Sequence, residues 1–356
     1  MLHLVNTPLL VNLNGLNNLE SVGGILWIED NNSLSSLSGL ENLTLVGLDL
    51  LIRNNPSLTG LASLESLQHI GSSFEIIQDD ALMNTSGLEN LTSIGLNLRF
   101  YGNDLLESLS GFVNLTFVGG ECLIQGNNSL TSLSGLLNLQ TIGGGLNISG
   151  NGSLKNLTGL NNLTATGGML EISNNEALEN LNGLEGVSSL GGGGLAVLSN
   201  NLLRSLSGLE DIDASTIGGL EIQYNPLLSV CEITSICNYL NLPGAISFIS
   251  QNAPGCSATA EVLTSCEEAG VEDYPVSRNL SIYPNPAKGT IFIETPDIPG
   301  EKQLVIINSG GQQILNKTIA GKSGWIDVSK LPEGLYILKI IGANKLVVGK
   351  FVVEYY

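Results

Sequence analysis

The side chains that could carry catalysis are few in this sequence of 356 residues, and their spacing matches no catalytic motif. Neither of the two histidines, His3 and His69, has a serine or cysteine at a spacing that a nucleophilic mechanism would suggest. No Gly-x-Ser-x-Gly, His-Glu-x-x-His or phosphate-loop motif is present. The sequence therefore predicts a protein that is not an enzyme and that holds no cofactor and no metal ion.

One acidic pair leaves a carbohydrate-cleaving enzyme as the alternative. Asp79 and Asp80 are adjacent, and Arg53 and Arg99 lie about one repeat away on either side. Clustered carboxylates beside arginines are the groups that a polysaccharide lyase or hydrolase needs for acid–base work. Solvated charges on a bend are the simpler interpretation of this pair.

A strict internal repeat must position these residues. From Gly15 to Asn182 the sequence repeats seven times at a spacing of 24 residues, without insertion or deletion. Residues 135–158 show the frame, which reads Gly-Leu-x-x-Leu-x-x-Ile-Gly-Gly-x-Leu-x-Ile-x-x-Asn-x-x-Leu-x-x-Leu-x. Looser copies cover 183–207 and 208–232, and a partial copy covers 4–14. Such a period marks a solenoid, whose units bury their apolar faces only by stacking on one another.

Two spacings within each unit predict the shape of a coil. The Leu-x-Ile segment alternates with period two, as a strand with one buried face does. The other leucines recur at every third position, which suits tight 3₁₀-like or extended arcs. The predicted fold is dominated by β structure, with a right-handed β-solenoid over 1–232. It has about ten stacked coils with one short parallel strand each.

Two polar columns are expected to hold the bends of the coils. A glycine at the ninth position of each unit fits a corner with a positive φ or a close approach to the next coil. An asparagine eight positions later can bond backbone groups of its own and adjacent coils, forming a structural ladder. The ladder asparagines are Asn31, Asn55, Asn103, Asn127, Asn151, Asn175, Asn200 and Asn225, with Asp79 as the exception.

The outward positions of the predicted strands form the candidate ligand-binding surface. The first five complete repeats place aromatic and aliphatic side chains beside arginines, the composition of interaction hot spots. The outward positions of the later coils, from 147 to 223, contain no aromatic side chain and no arginine. The alternative is that these side chains pack within the molecule or only improve strand packing. The candidate residues are Trp27, Leu51, Arg53, Ile77, Arg99, Tyr101 and Leu123.

The repeat frame resembles leucine-rich repeats. With Ile-Gly-Gly before the strand and Leu-x-x-Leu-x-x-Ile before that, it is closer to the receptor L-domain type. That type is the β-solenoid of insulin-receptor and epidermal-growth-factor-receptor ectodomains and of many bacterial surface proteins. The resemblance covers residues 4–232. It implies a fold rather than a ligand, because such surfaces differ in every member.

The charge is concentrated in the repeats. Residues 1–266 carry 4 Lys+Arg against 23 Asp+Glu, a net charge of −19, whereas 267–356 carry 9 against 10. Such a rod repels nucleic acid and anionic membranes, so neither is expected as a partner. No stretch approaches 18 consecutive apolar residues, so no membrane span is expected.

The composition changes after an acidic, proline-containing linker at 267–278. Residues 279–356 contain short alternating segments separated by turn signals, a pattern typical of a small Ig-like β-sandwich. The segments predicted as strands are 280–283, 290–294, 304–307, 325–328, 335–341 and 346–353.

The motifs of this last region resemble the type A sorting domain of type IX secretion cargo in Bacteroidota. They are Ile-Tyr-Pro-Asn-Pro-Ala at 282–287, Ile-Asp-Val at 326–328, Leu-Pro-Glu-Gly-Leu-Tyr at 331–336 and a lysine-containing last strand from 345. The chain ends Glu-Tyr-Tyr, where many members end in lysine or arginine. The sorting-signal residues are Tyr283, Pro284, Asn285, Pro286, Gly334, Tyr336, Lys345 and Lys350.

The resemblance to sorting domains implies a cellular location and a partner for the protein. The protein is expected to cross the outer membrane, lose the domain, and remain at the cell surface or be released. The type IX secretion machinery is the expected partner of residues 279–356. Cargo of this pathway carries a signal peptide, whereas residues 1–4 lead directly into a repeat remnant. We therefore expect the given sequence to be truncated at its N-terminus.

Four of the five cysteines cluster in a predicted cap at 233–266 and just before it. In an exported protein an even group indicates disulfides, with three possible pairings. The favoured pairing joins Cys231 to Cys256 and Cys237 to Cys266. A zinc site is the alternative, although the spacing lacks a Cys-x-x-Cys hook and no histidine lies near. Cys122 replaces a buried strand leucine and is expected to be an inert core thiol.

The sequence thus favours a secreted or surface-displayed protein that binds an unknown protein or glycan without catalysis. A carbohydrate-active solenoid and a passive structural spacer are the alternatives.

Overall fold

The computed structural model describes residues 1–269, 276–277, 280–294, 301–308, 312–319, 321, 323–342 and 345–354. The side chains of 268–269, 276–277 and 345–346 lie outside this description. The chain divides into two compact units, Met1–Ala269 and Gly270–Tyr356, which are described separately.

The first unit is a β-solenoid, as the repeat predicted. Its long sheet contains eleven parallel strands in sequence order, and coils are numbered here by these strands. Successive strands pair in register, so that Leu26 faces Leu50 and Ile28 faces Ile52. The strands are Leu2–Val5, Leu26–Glu29, Leu50–Arg53, Phe74–Ile77, Leu98–Tyr101, Cys122–Gln125, Leu146–Ser149, Leu170–Ser173, Gly194–Leu198, Gly219–Gln223 and Ser247–Ser250.

A second, shorter sheet lines another side of the coils, so the prediction of one strand per coil was wrong for seven of them. Its seven parallel strands are only two residues long: Ser21–Val22, Leu45–Val46, His69–Ile70, Ser93–Ile94, Phe117–Val118, Thr141–Ile142 and Ala165–Thr166. Short 3₁₀ segments complete four coils, at Ala62–Leu64, Ser110–Phe112, Ser134–Leu136 and Ala214–Thr216. The leucines at every third position are buried in one continuous core, as at Leu154, Leu157 and Leu160.

The corner glycines are required by close approach between coils. A Cβ on Gly143 would collide with the carbonyl group of Gly119, and a Cβ on Gly119 with that of Gly95. These glycines do not have a positive φ, whereas Gly191 in the same column does, at 58°. Of the two reasons offered by the sequence, steric contact therefore accounts for most of the column.

A second glycine column opens most repeats, and most of its members have a positive φ. Gly39, for example, has φ 114°, a conformation that other residues rarely adopt. Its N–H donates to the carboxylate of Glu41 at 2.9 and 3.0 Å, which lowers the pKa of Glu41. The equivalent glutamates Glu89, Glu185 and Glu210 accept in the same way. These acids in the repeats are therefore turn residues.

The asparagine column forms a buried, hydrogen-bonded ladder. Oδ1 of Asn55 accepts from the backbone N–H and from Nδ2 of Asn31, at 3.2 and 3.1 Å. Nδ2 of Asn55 donates back to the carbonyl of Ile28 at 3.2 Å. The same links connect Asn103, Asn127, Asn151, Asn175, Asn200 and Asn225. Each amide thus satisfies backbone groups that the bend leaves unpaired.

The ladder extends one coil beyond the predicted set at each end. Asn31 Oδ1 accepts from the backbone N–H of Thr7 at 3.0 Å and also from its hydroxyl. Asn225 Nδ2 donates to Oδ1 of Asn252 at 3.0 Å. The signal for Asn252 is in the sequence, since Ile249-x-x-Asn252 repeats the Ile-x-x-Asn spacing of the coils.

The cap seals the C-terminal end of the solenoid. It contains helix α1 (Thr234–Leu240), the eleventh strand and helix α2 (Thr259–Ala269). Disulfides join Cys231 to Cys256 and Cys237 to Cys266, which is the favoured pairing. Because all four cysteines are in disulfides, the alternative of a zinc site is wrong. The eleventh strand was not predicted. It covers the otherwise open edge of the tenth, with Ile249 facing Ile222.

Cys122 lies fully buried in the sixth strand and has no disulfide. Burial raises the pKa of its thiol to about 12, because a thiolate in the apolar core is disfavoured.

The second unit contains two sheets that share one core. The first has five strands in the order Val276–Ser277, Lys345–Val353, Gly334–Gly342, Lys302–Asn308 and Gln313–Ile319. The second has three antiparallel strands in the order Ser281–Tyr283, Thr290–Glu294 and Ser323–Asp327. Ile291 and Ile326 from the small sheet pack with Leu338 and Phe351 from the larger one. This arrangement is a small β-sandwich, as predicted.

The prediction missed one strand of the sandwich, and most of the predicted linker lies outside the described residues. Gln313–Ile319 was not predicted, because this edge strand is mostly exposed and lacks an apolar alternation. Residues 267–269 of the predicted linker complete α2, and 270–275 and 278 lie outside the described residues.

Candidate functional site

The candidate site is the outward face of the long sheet. On each strand the Leu-x-Ile side chains point into the core, as Leu26 and Ile28 do, and the alternate side chains form the opposite face. The register stacks these outward residues in two columns, such as Trp27, Leu51 and Glu75 in one of them. All seven predicted ligand-binding residues lie on this face.

The two predicted arginines are engaged in a charge network. Arg53 Nη2 contacts Glu75 Oε2 at 2.5 Å, and Arg99 Nη1 contacts Glu75 Oε1 at 3.3 Å. Arg99 Nη2 also lies 3.5 Å from Glu121 Oε2. Glu75 is only 6% exposed, so its charge needs this compensation from both sides. The network runs across four consecutive coils and is the main polar feature of the early part of the face.

The predicted apolar residues differ strongly in their exposure. Tyr101 is 53% exposed, whereas Leu51 is only 9% exposed because its stacked neighbours cover it. Trp27, Ile77 and Leu123 are half-buried. The Trp27 ring meets His3 edge-on, with the ring centroids 5.2 Å apart. Tyr101 is therefore the most accessible contact among the predicted residues.

Several polar atoms on this face lack a hydrogen-bond partner. Among the buried side-chain atoms of the described residues, five have none, and four of these belong to outward positions. They are Trp27 Nε1, Arg53 Nε, Arg99 Nε and Asn147 Oδ1. An unpaired buried polar group is costly, so a face that collects four of them is one where an external group would be stabilising.

Two clefts lie on the later coils, on either side of Met169, and of the predicted ligand-binding residues only Leu123 lines one of them, the first. Each has a volume of about 200 Å³. The first is lined by Glu121, Asn147 and Glu171, and the second by Ala196, Glu221, Ile246 and Phe248. Their depth comes from Gly145, Gly194 and Gly219, which put no side chain on this edge of the sheet. The glycine-rich runs at 143–145 and 191–194 are the sequence signal that could have indicated them.

The acidic pair does not form a site with the arginines. Asp79 is fully buried in the ladder, where its Oδ1 accepts from the backbone N–H and Nδ2 of Asn55 at 2.8 and 3.1 Å. Burial raises the pKa of Asp79 to about 7. Asp80 is exposed, and the side chains of Arg53 and Arg99 contact Glu75 instead. A substrate on the surface therefore has no access to the Asp79 carboxylate, and the interpretation of the pair as solvated charges is right for Asp80 but wrong for Asp79.

No metal site or membrane helix is found in the part of the chain that the structure describes. No three His, Cys, Asp or Glu side chains there converge as metal ligands. No described helix combines the length and the apolar character needed to cross a bilayer.

In the second unit, Asn285 ties the loop after the first strand of the small sheet to the last strand of the large one. Its Nδ2 donates to the carbonyl of Lys350 at 3.1 Å, and its Oδ1 accepts from the N–H of Val352 at 2.8 Å. Both prolines beside it, Pro284 and Pro286, follow cis peptide bonds. The Tyr-Pro-Asn-Pro motif therefore lies in a loop that is hydrogen-bonded to the C-terminal strand through Asn285.

The second motif of this unit supports the same strand from the core. The Tyr336 ring stacks on Phe351 with centroids 5.5 Å apart, and its hydroxyl donates to the carbonyl of Pro332 at 2.8 Å. Gly334 has φ 152°, which favours glycine. Lys350 is exposed, and the side chain of Lys345 lies outside the described residues.

An aromatic row crosses the outer face of the small sheet. Tyr283, Phe292 and Trp325 are direct cross-strand neighbours, with ring centroids 5.1 and 5.2 Å apart. Trp325 is 63% exposed. Sequence reasoning assigned Tyr283 to the sorting motif and did not identify the other two rings.

Comparison with known protein families identifies the second unit. Residues 281–354 match the family of secretion system C-terminal sorting domains. No curated protein matches the chain significantly. The match spans the motifs and every described strand of this unit except Val276–Ser277, and it includes the loop around Asn285 and the last strand. The C-terminal unit is therefore a type IX sorting domain, and the protein is secreted or attached to the outer-membrane surface.

Proposed function

We propose that the solenoid is a non-catalytic binding or adhesion module that the sorting domain delivers to the cell exterior. One observation carries the proposal. The three ion pairs of the described residues, four of their five unpartnered buried polar atoms and the two clefts beside Met169 all lie on the outward face of the long sheet. A scaffold alone has no need to concentrate such features on one face.

The partner is an exposed protein or glycan. The net charge of 1–266 is −19, which disfavours nucleic acid and anionic lipid as ligands. Kinship of the coils to receptor L domains, an Ig-like topology for the sandwich, and removal of the sorting domain after export also belong to this proposal. They rest on the sequence resemblances given above.

The absence of catalysis is part of the same proposal. Its support is the burial of Asp79 and the pairing of both arginines with Glu75. The full chain is expected to release no reducing ends and no unsaturated sugars from a panel of polysaccharides. Turnover that disappears in an Asp79→Asn variant would instead establish a carbohydrate-active solenoid.

The binding proposal is tested with the full chain on arrays of glycans and of cell-surface proteins. A ligand is expected to lose about tenfold or more in affinity when Trp27 and Tyr101 are replaced by alanine, because exposed aromatic rings dominate such contacts. Phe117→Ala is the matched control, since this 42%-exposed ring lies on the short sheet. No ligand on either array would remove the proposal and leave a passive spacer.

A further inference from the structure

We propose that the later coils bind an extended basic polypeptide segment that carries an apolar side chain. The site is the late-coil strip, defined here as Glu121, Asn147, Met169, Glu171, Glu221, Ile246 and Phe248. This inference rests on the proposed function and adds to it a second contact surface, on the later coils, together with the chemistry of the partner that fits it.

The apolar part of the strip is a groove without a cover. Ile246 and Phe248 are 59% and 60% exposed, and Met169 is 42% exposed between the two clefts. Phe248 occupies the outward position of the eleventh strand, directly beside Glu221. Large apolar side chains around a cleft of this size favour insertion of an aliphatic side chain from a partner.

The charge of the strip indicates what kind of partner covers it. In the early coils each outward arginine contacts a glutamate, whereas the outward positions from Leu123 to Ser250 contain no lysine or arginine. In the described part of the chain neither Glu171 nor Glu221 has an ion-pair partner. Uncompensated carboxylates at the rim of an apolar groove favour a cationic ligand.

Glu171 is already held in place for such a ligand. Its Oε2 accepts from Asn147 Nδ2 at 2.7 Å, and its Oε1 accepts from the Ser173 hydroxyl at 2.8 Å. These neutral donors fix the carboxylate without cancelling its charge. Asn147 Oδ1, at the same cleft, has no donor and would accept one from an ammonium or guanidinium group after a small rotation.

The spacing of the acids fits an extended polypeptide. Glu171 and Glu221 lie on strands two coils apart, which is about 10 Å at the usual strand separation. Three residues of an extended chain in the polyproline II conformation span about 9 Å, and with three residues per turn the side chains at positions i and i+3 point to the same side. A segment in this conformation that crosses the strands with basic residues three positions apart would therefore meet both carboxylates and place an apolar side chain between them.

The test uses fluorescein-labelled peptides and the full chain, with fluorescence anisotropy as the readout. The probe has lysine at every third position and leucine between the lysines. One control peptide replaces each lysine by glutamate, and another replaces each leucine by serine. The lysine–leucine probe is expected to bind at least about tenfold more tightly than either control, and its affinity is expected to fall with added salt.

Variants locate the binding. Glu171→Gln with Glu221→Gln is expected to weaken the probe about tenfold or more, whereas Glu107→Gln with Glu179→Gln, two exposed acids away from this face, keeps it within about twofold. Gly219→Val is expected to weaken it as well by filling the second cleft. A Cβ on Gly219 meets nothing within 4 Å, so this variant should fold. Thermal melting checks all variants.

The outcomes separate this inference from the proposed function. Equal losses in the two glutamine pairs, or equal binding of all peptides, would show non-specific attraction and overturn it. No binding of the probe, while an array ligand remains sensitive to Trp27→Ala with Tyr101→Ala, would overturn it and leave the proposed function standing. Failure of the probe and of both arrays would remove both.

Discussion

In the ladder of asparagines, the fourth coil carries Asp79, and the exchange of one nitrogen for one oxygen changes the chemistry of that step. Oδ1 of Asp79 accepts from Asn55 as the other amides do, but its Oδ2 is buried without a partner. Desolvation raises the pKa of Asp79 to about 7, because burial disfavours the carboxylate. A protonated Oδ2 can donate as an amide nitrogen does, so the neutral acid fits the ladder better than the anion.

Asp79→Asn is therefore expected to stabilise the solenoid at neutral and alkaline pH. Because the folded-state pKa is raised from 3.8 to about 7, the stabilisation from this proton is complete below about pH 3.8. It is lost as the pH rises through about 7. The advantage of the asparagine variant should grow over that window to at most about 4 kcal/mol. Urea unfolding of both proteins between pH 4 and pH 9 measures it.

Asp211→Asn provides the control, because Asp211 is an exposed solenoid carboxylate outside the ladder. Its effect on the unfolding free energy should be small, because no buried partner depends on its carboxylate. A constant difference between the Asp79→Asn variant and the parent protein across the range would contradict the account of the ladder.

At the scale of the element, the coil is defined by how closely consecutive backbones pass. The corner glycines from Gly47 to Gly167 have ordinary φ angles, and what they lack is room for a Cβ beside the coil before them. The long sheet does not have this constraint at every glycine. Gly219 begins the tenth strand with nothing within 4 Å of where its Cβ would lie.

Gly143→Ala should accordingly destabilise the solenoid by about 1–3 kcal/mol, since the added methyl group meets the carbonyl of Gly119. Gly219→Ala adds the same methyl group in open space and should change stability by less than about 1 kcal/mol. Urea unfolding followed by circular dichroism compares the two variants with the parent protein. Equal stability of both variants would show that the corner tolerates a side chain and that the close contact has no energetic weight.

At the scale of the whole molecule, a repetitive solenoid and a sorting domain are combined in one chain. The sorting domain depends on its last strand, which pairs along Gly334–Gly342 and is held by the amide of Asn285. The solenoid depends on stacking, and its C-terminal end is closed by a disulfide-bonded cap. Each unit therefore has its own core.

Asn285→Ala is expected to lower the surface-exposed fraction of the protein when it is expressed from its own gene in a bacterium with type IX secretion. Loss of the amide leaves the N–H of Val352 and the carbonyl of Lys350 without this partner, at a cost of about 1–3 kcal/mol to the sandwich. Surface biotinylation and immunoblotting measure the fraction.

Asn316→Ala, on the exposed edge strand, is the matched control and should be exported normally. Normal export of the Asn285→Ala variant would show that export does not depend on the hydrogen bonds between Asn285 and the last strand.

Particular residues show how far the sequence alone could predict this molecule. The Leu-x-Ile strands and the asparagine ladder follow from local spacing, and the structure has both. The pairing of Cys231 with Cys256 was the favoured one of three that the sequence left open, and the structure has it. The eleventh strand was missed because its stability comes from pairing with the tenth. The exposed Gln313–Ile319 strand was missed for the same reason, since its partner strand holds it in place.

The candidate site was predictable only in part. The face itself followed from the period of the strands, because alternation places every second residue outward. The ranking of residues on it did not follow. Leu51 is covered by its stacked neighbours, both arginines contact Glu75, and the open clefts lie beside Met169. Exposure and pairing depend on side chains 24 residues away in the sequence, which local composition does not describe.

The sequence by itself determined the repeat and the inward and outward faces of each strand, because both are encoded in regular spacings. It also indicated the sorting domain, through motifs that resemble a known family. Only the tertiary structure decided which outward groups are free, since neighbouring coils cover or neutralise them. It also decided that Asp79 belongs to the ladder and not to a surface site. Stacking at one strand separation brings each residue against its equivalent one repeat away. That contact decides which outward side chains are accessible and which charges are compensated.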